Sequence, residues 1–181
     1  MNKIDQLLKQ IIPPATREER DCFSNEKILS ELNQKELKIV EKRLIEMLEK
    51  NDDYLIADTL VHLNSEKSIP ILYKRLEKAS SSFEKIKWAS FVNEIRNGDE
   101  EMEIVAFNES KKMEFIYEID GIVFCDLIKF KSSRINKQIE KFVDHKYFLV
   151  AHYAKLVLNY NGYIGSDDQR NDSKKWWEFW K

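Results

Sequence analysis

Asn33-Gln34-Lys35-Glu36-Leu37-Lys38-Ile39-Val40-Glu41-Lys42-Arg43-Leu44-Ile45-Glu46-Met47-Leu48 reads as one amphipathic helix. Its apolar stripe of Leu37, Val40, Leu44 and Leu48 has spacings of three, four and four, the period of a helix with one buried face. Asn33 stands at the N-cap position, and Glu36 completes a capping box. Asn51-Asp52 breaks the pattern, and Tyr54 to Leu63 resumes it as a second helix. Toward the N-terminus, Asn2 to Ile12 carries Ile4, Leu7, Leu8, Ile11 and Ile12 on one face and is stopped by Pro13-Pro14. Short helical pieces are expected over Glu18 to Phe23 and Glu26 to Leu32.

Downstream, Ser65 to Ser68 restarts the chain with Pro70 in a first turn, where a missing N–H costs little. Ser81 with Glu84 caps a helix holding Ile86, Trp88, Ala89, Val92 and Ile95, and Asn97-Gly98 ends it. Phe115 to Asp126 admits two readings. Asp120-Gly121 between apolar runs fits a β-hairpin with a type I′ turn. Ile116, Ile119, Val123, Leu127 and Phe130 also fit a helical stripe in which Gly121 costs roughly 1 kcal/mol. The helical neighbourhood favours the second reading. Ile135, Ile139 and Phe142 then mark one helix, and Phe148 to Tyr160 another, closed by Asn161-Gly162.

Composition sets the class. The chain has 181 residues with 43% hydrophobic positions, four Gly and three Pro, too little turn chemistry for an all-β sandwich. Ten Phe, seven Tyr and four Trp exclude a disordered chain. Thirty basic and 32 acidic residues leave a net charge of −2, without the basic excess of a phosphate-backbone binder. Cys22 and Cys125 are expected as reduced small hydrophobes. The first residues lack an apolar leader, and no run approaches eighteen apolar residues, so a cytoplasmic protein is expected. The excess of Lys (23) over Arg (7) fits an AT-rich bacterial genome.

A repeat runs through the middle. Lys42-Arg43-Leu44 recurs as Lys74-Arg75-Leu76 at an offset of 32, which also maps Leu37 to Ile69, Val40 to Leu72 and Ala57 to Ala89. Tyr54-Leu55-Ile56-Ala57 matches Phe148-Leu149-Val150-Ala151. Paired helices repeating at this length signal an α-solenoid, whose open apolar faces neighbours must cover. Ser65-Glu66-Lys67-Ser68-Ile69-Pro70-Ile71-Leu72, with the Ala-bearing helix after it, resembles the HEAT-like repeats of the phycobilisome-lyase type. The likeness covers about Asn33 to Tyr160. The Asp and Arg positions of that repeat are mostly absent, so the resemblance implies an architecture and no lyase activity or cofactor. In size and style the chain also resembles small bacterial immunity proteins that neutralise a toxin.

Catalytic motifs are scarce. His145 and His152 are seven apart, too far for the i, i+4 pair that grips one zinc. His62 follows Asp58 by one turn, a spacing that suits either an oriented base or a surface contact. No GxSxG, HExxH, CxxC or Gly-rich phosphate loop occurs. Asp99-Glu100-Glu101 reads as a helix start favoured by the dipole rather than a cation site. The expectation is therefore a non-enzyme with no catalytic residue, metal or cofactor.

Partner binding remains. In helix-pair solenoids the second helices line one side, and their outward residues here are Asp53, Asp58 and His62, then Glu84, Lys87 and Glu94, then Asp126, then His152, Tyr153 and Lys155. This largely acidic set suits a basic protein partner. Ser166 to Ser173 is polar, and Trp176-Trp177-Glu178-Phe179-Trp180-Lys181 holds three of the four Trp. Trp176, Trp177 and Trp180 fit a cap on the last repeat, a partner anchor, or an interfacial membrane contact.

These expectations combine as an all-α fold: an α-solenoid of about four HEAT-like helix pairs over residues 33–162, an N-terminal helical cap over 1–32, and a linker with a Trp-rich tail over 163–181, one domain overall. The expected function is a cytoplasmic protein-binding module, an immunity or inhibitor protein that occludes a toxin or enzyme. The alternatives are a membrane or assembly adaptor using the tail and, more remotely, a helical-repeat enzyme on nucleic acid.

Overall fold

The computed structural model of the chain describes residues 3–14, 23–114 and 118–160. These form ten α-helices joined by short 3₁₀ turns, with no β-strand among the described residues. In order they are α1 (Lys3–Ile11), α2 (Glu26–Ser30), α3 (Gln34–Leu48), α4 (Tyr54–His62), α5 (Ile69–Lys78), α6 (Ser82–Ile95), α7 (Glu100–Ser110), α8 (Phe124–Leu127), α9 (Ser133–Glu140) and α10 (Phe148–Tyr160). The all-α class read from the sequence holds. The helical piece expected over Glu18 to Phe23 lies, except for the non-helical Phe23, on residues 15–22, and the Asn161-Gly162 stop and the Trp-rich tail lie on 161–181, outside the described residues. The chain divides into two compact units, with the boundary between Ile71 and Leu72 inside α5.

In the first unit, α1 packs on α2 and α3, and α3 packs on α4. The capping box at Asn33 is formed: its Oδ1 accepts from the Lys35 and Glu36 amides at 3.0 and 3.1 Å, and Glu36 Oε2 accepts from the Asn33 amide at 3.1 Å. Such a cap is worth about 1 kcal/mol and places the first turn so that Val40, Leu44 and Leu48 face inward, all three fully buried. Ile56, Ala57 and Leu60 of α4 are also buried. A buried amide ties the ends together. Asn25 Nδ2 donates to the Ile11 carbonyl at 3.0 Å and to Thr59 Oγ1 at 2.9 Å, and the Thr59 hydroxyl in turn donates to the Leu55 carbonyl at 2.8 Å. The last carbonyls of α1 would otherwise lack partners, which is the problem this amide solves.

Helices α4 and α6 stop in the same way. Asn64 and Asn97 adopt left-handed φ values of +49° and +50°. Ser65 N–H reaches back to Leu60 O, and Asn64 N–H to Val61 O, at 3.0 and 2.8 Å. Gly98 N–H and Asn97 N–H repeat this pattern to Asn93 O and Glu94 O at 2.9 and 3.1 Å. Both are Schellman stops with Asn at the left-handed position.

The second unit is built around α6, whose Ile86, Trp88, Ala89, Phe91, Val92 and Ile95 are buried. It packs against α7 on one flank and against residues 118–130 on the other. This last stretch settles the ambiguous segment where it is described: Glu118–Val123 is a 3₁₀ helix, followed by α8 and a 3₁₀ turn over Ile128–Phe130. The hairpin is therefore absent from 118–130, and Phe115 to Tyr117 lie outside the described residues. Asp120-Gly121 belongs to the 3₁₀ helix, whose packing partner is α10. Helix α9 packs on α7 and α10, and it ends at Glu140, two residues before Phe142.

Candidate functional site

Lys87, Glu94 and Asp126, expected as separate partner contacts, meet in one cluster. Helix α6 carries Lys87, Phe91 and Glu94 at spacings of four and three, which puts them on one face. Lys87 Nζ lies 2.8 Å from Asp126 Oδ1, and Lys129 Nζ lies 2.8 Å from Glu94 Oε2 and 3.8 Å from Asp126 Oδ1. Charges thus alternate along Lys87, Asp126, Lys129 and Glu94. Both ammonium groups also stand over the Phe91 ring, 5.3 and 5.7 Å from its centroid. Asn93 Nδ2 donates to the Lys129 carbonyl at 3.1 Å. This network fastens the 124–130 turn to α6, and its carboxylates are not a free acidic surface. Lys129 was missed from sequence, although its i, i+3 relation to Asp126 is the spacing of a helical ion pair.

Other acidic candidates are also committed within the chain. Glu84 Oε2 accepts from the Ser80 and Ser81 amides at 2.8 and 3.2 Å, completing the capping box of α6. Those backbone donors hold its carboxyl below the usual range. Asp53 caps α4 by accepting from the Leu55 amide at 3.0 Å. Asp99 caps α7 through the Met102 amide and pairs with Arg96. His62 Nε2 lies 3.4 Å from Glu26 Oε1, so the carboxylate it meets is one that sequence spacing did not indicate. Asp58 and His62 line a cleft of about 70 Å³ together with Asn25 and Thr59.

Helix α10 positions the remaining candidates. Val150, Ala154, Val157 and Leu158 are buried, which turns Phe148, His152, Lys155 and Leu156 to the opposite side. Tyr153, expected on the surface, is only 9% exposed and belongs to the core face; burial also pushes its phenol pKa up. Phe148 is 72% exposed and stacks on the His152 ring, with centroids 5.8 Å apart and planes inclined by 17°. Lys155 Nζ lies 3.6 Å from Asp144 Oδ1, and Leu156 is exposed. Phe148 was not among the expected contacts. The signal was present in the sequence, since it precedes His152 by one turn and lies off the apolar stripe.

Cys125 is a free thiol. Burial, with the Asp126 charge beside it, pushes its pKa up to about 11, so it is protonated at neutral pH and a poor nucleophile. Cys22, Trp176, Trp177 and Trp180 lie outside the described residues. Among the described residues, no group of three or more His, Cys, Asp or Glu side chains could hold a metal ion, and no helix is long and apolar enough to cross a membrane. No protein-family model, curated protein or solved structure matches the chain.

Proposed function

We propose that the chain is a protein-binding module without catalytic activity, an immunity or inhibitor protein that acts by covering a toxin or enzyme. The observation that carries this reading is the outer face of α10, where Phe148 is 72% exposed yet held in a stack with His152. A large aromatic ring kept in water by an ordered neighbour is a ready hot spot: burying it against a partner gains apolar area while little side-chain freedom remains to be lost. Leu156 extends the apolar contact, and Lys155 supplies a polar rim.

A HEAT-like stack is the proposed architecture behind that face. In chain order α3 is followed by α4, α5 by α6, α7 by residues 118–130 and α9 by α10, and of these α3 packs on α4 and α9 on α10. Within the second unit, α6 packs on 118–130, which packs on α10, while α7 packs on α9. Contact between corresponding members of successive pairs is what supports the solenoid reading.

The test is affinity purification of the tagged full chain from its native cells under a high-salt wash, run beside Phe148→Asp. A stoichiometric protein held by the unsubstituted chain and lost with Phe148→Asp is expected, and adding the chain to that protein should abolish its activity. Equal retention by both chains, or a bound partner that keeps full activity, overturns the proposal.

A further inference from the structure

A second surface of the same unit has the opposite character from the acidic one expected from sequence. Between α7 and α9 lies a groove of about 340 Å³ with Phe107 in its wall and Lys111, Arg134, Lys137 and Lys141 around it. Arg134 and Lys137 on α9 and Lys141, its C-cap, are spaced by three and four residues and so share one face, covering about 10 Å along the helix axis. Lys111 comes from the C-terminal end of α7. Its Nζ stands 3.9 Å from the Phe107 centroid, and the Arg134 guanidinium stands 4.9 Å from the same centroid.

The charge in this groove is largely uncompensated. Among the described residues, the carboxylate within ion-pair distance of these four cations is Glu103, 2.7 Å from Arg134 Nη2. Lys141 Nζ instead donates to the neutral Gln138 Oε1 at 2.7 Å, with Gln138 itself buried. Like charges gathered in one concavity repel one another, and an anionic guest relieves that repulsion as it binds.

We propose that this groove binds an acidic peptide segment of a partner protein. Two observations favour a carboxylate-rich peptide over a nucleic acid. The Phe107 ring, the groove's aromatic platform, is already occupied by two cations, so a base could stack only by displacing them. The whole chain carries net charge −2 without a basic excess, so this cationic groove is a local patch about 10 Å long, where a polynucleotide backbone is usually met by a longer basic track. An extended peptide places alternate side chains about 7 Å apart, so two of its carboxylates match neighbouring cations such as Lys137 and Lys141, about 6 Å apart along the helix axis. The groove uses none of the α10 residues, and the proposal stands apart from the reading of that face.

The experiment is fluorescence anisotropy of the full chain with a fluorescein-labelled decaglutamate peptide, beside a labelled decathymidylate and competition by inorganic phosphate, at low and physiological salt. The peptide is expected to bind more tightly than the oligonucleotide, to weaken as salt screens the exposed charges, and to resist millimolar phosphate. Lys137→Glu should weaken it about fivefold and Lys111→Glu/Lys137→Glu about thirtyfold, with the helical circular dichroism unchanged. Lys111→Arg/Lys137→Arg should retain binding. Lys50→Glu, the same charge change on an exposed residue elsewhere, should leave affinity within about twofold. No peptide binding at low salt, tighter binding of the oligonucleotide, full displacement by phosphate, or an equal loss in Lys50→Glu overturns the proposal.

Discussion

A Cβ placed on Gly121 would lie 2.9 Å from the Cα of Val150, 3.2 Å from the Tyr153 ring and 3.3 Å from the Leu149 carbonyl oxygen. The 3₁₀ helix and α10 therefore meet backbone to backbone, and Gly121 is required by proximity, not by a left-handed φ. Gly121→Ala should destabilise the chain by about 1–3 kcal/mol, the cost of overpacking a site that cannot yield. Val150→Ala should not rescue it, because the contact is with the Val150 main chain. Urea denaturation of the single and double variants checks this. A loss below about 0.5 kcal/mol in Gly121→Ala would mean that the two backbones are farther apart.

Asn25 offers a second test of the core. Its amide serves both the Ile11 carbonyl and Thr59 Oγ1. Asn25→Ala should cost about 1–3 kcal/mol, since it leaves a buried carbonyl without a donor. Asn25→Asp should cost more, because a carboxylate would face that carbonyl. Denaturant midpoints rank the two variants, and the reverse order would sink the assignment of the amide nitrogen as the donor.

The pH dependence follows from four paired carboxylates. Ser132 and Arg134 lower the Glu103 pKa by hydrogen bonding to it. At Glu41, Asp99 and Glu109 burial pushes the pKa up, but hydrogen bonds from Lys67 and Ser65, from Arg96 and the Met102 amide, and from Lys112 and Ser82 outweigh it and bring each below its ordinary value. A pKa lowered on folding contributes stability that is fully present above the unfolded-state value and is lost as pH falls toward the folded one. Stability should therefore decline below about pH 4.5. Glu103→Gln should destabilise the chain at pH 7 and matter much less at pH 3. Equal effects at both pH values would show that charge at Glu103 is not the cause.

Cys125 should be sluggish toward thiol reagents. With its pKa near 11, against 9.0 for an ordinary thiol, little thiolate exists at pH 8. In a Cys22→Ser background, iodoacetamide should label Cys125 about tenfold or more slowly in the folded chain than in urea. Equal rates would contradict the burial of the sulfur.

Phe148 gives the contrasting case. Its ring is mostly in water, so Phe148→Ser should shift the urea midpoint by the equivalent of no more than about 0.5 kcal/mol. A larger loss would place the ring in the core.

Much of the helical framework was legible because its signals are local. The caps at Asn33 and Ser81 and the stripe of Val40, Leu44 and Leu48 lie within a few residues of the groups they organise, and the structure retains them. The candidate surface was less legible. Asp53, Asp58, Glu84, Glu94 and Asp126 were all read as an acidic face, since a carboxylate's availability depends on what the rest of the chain brings to it. Asp53 and Glu84 cap helices, while Glu94 and Asp126 pair with lysines more than thirty residues away in the chain. Helical period alone would have put Tyr153 inside and Phe148 outside.

By itself, then, the amino-acid order determined the all-α class, most helix boundaries and the inward stripes, because capping and amphipathic period act over one or two turns. Tertiary structure alone decided the role of Gly121, the alternating charge network over Phe91 and the cationic groove beside Phe107. Each of these depends on side chains or backbones from different helices coming within a few ångströms, a distance set by packing and invisible to spacing along the chain.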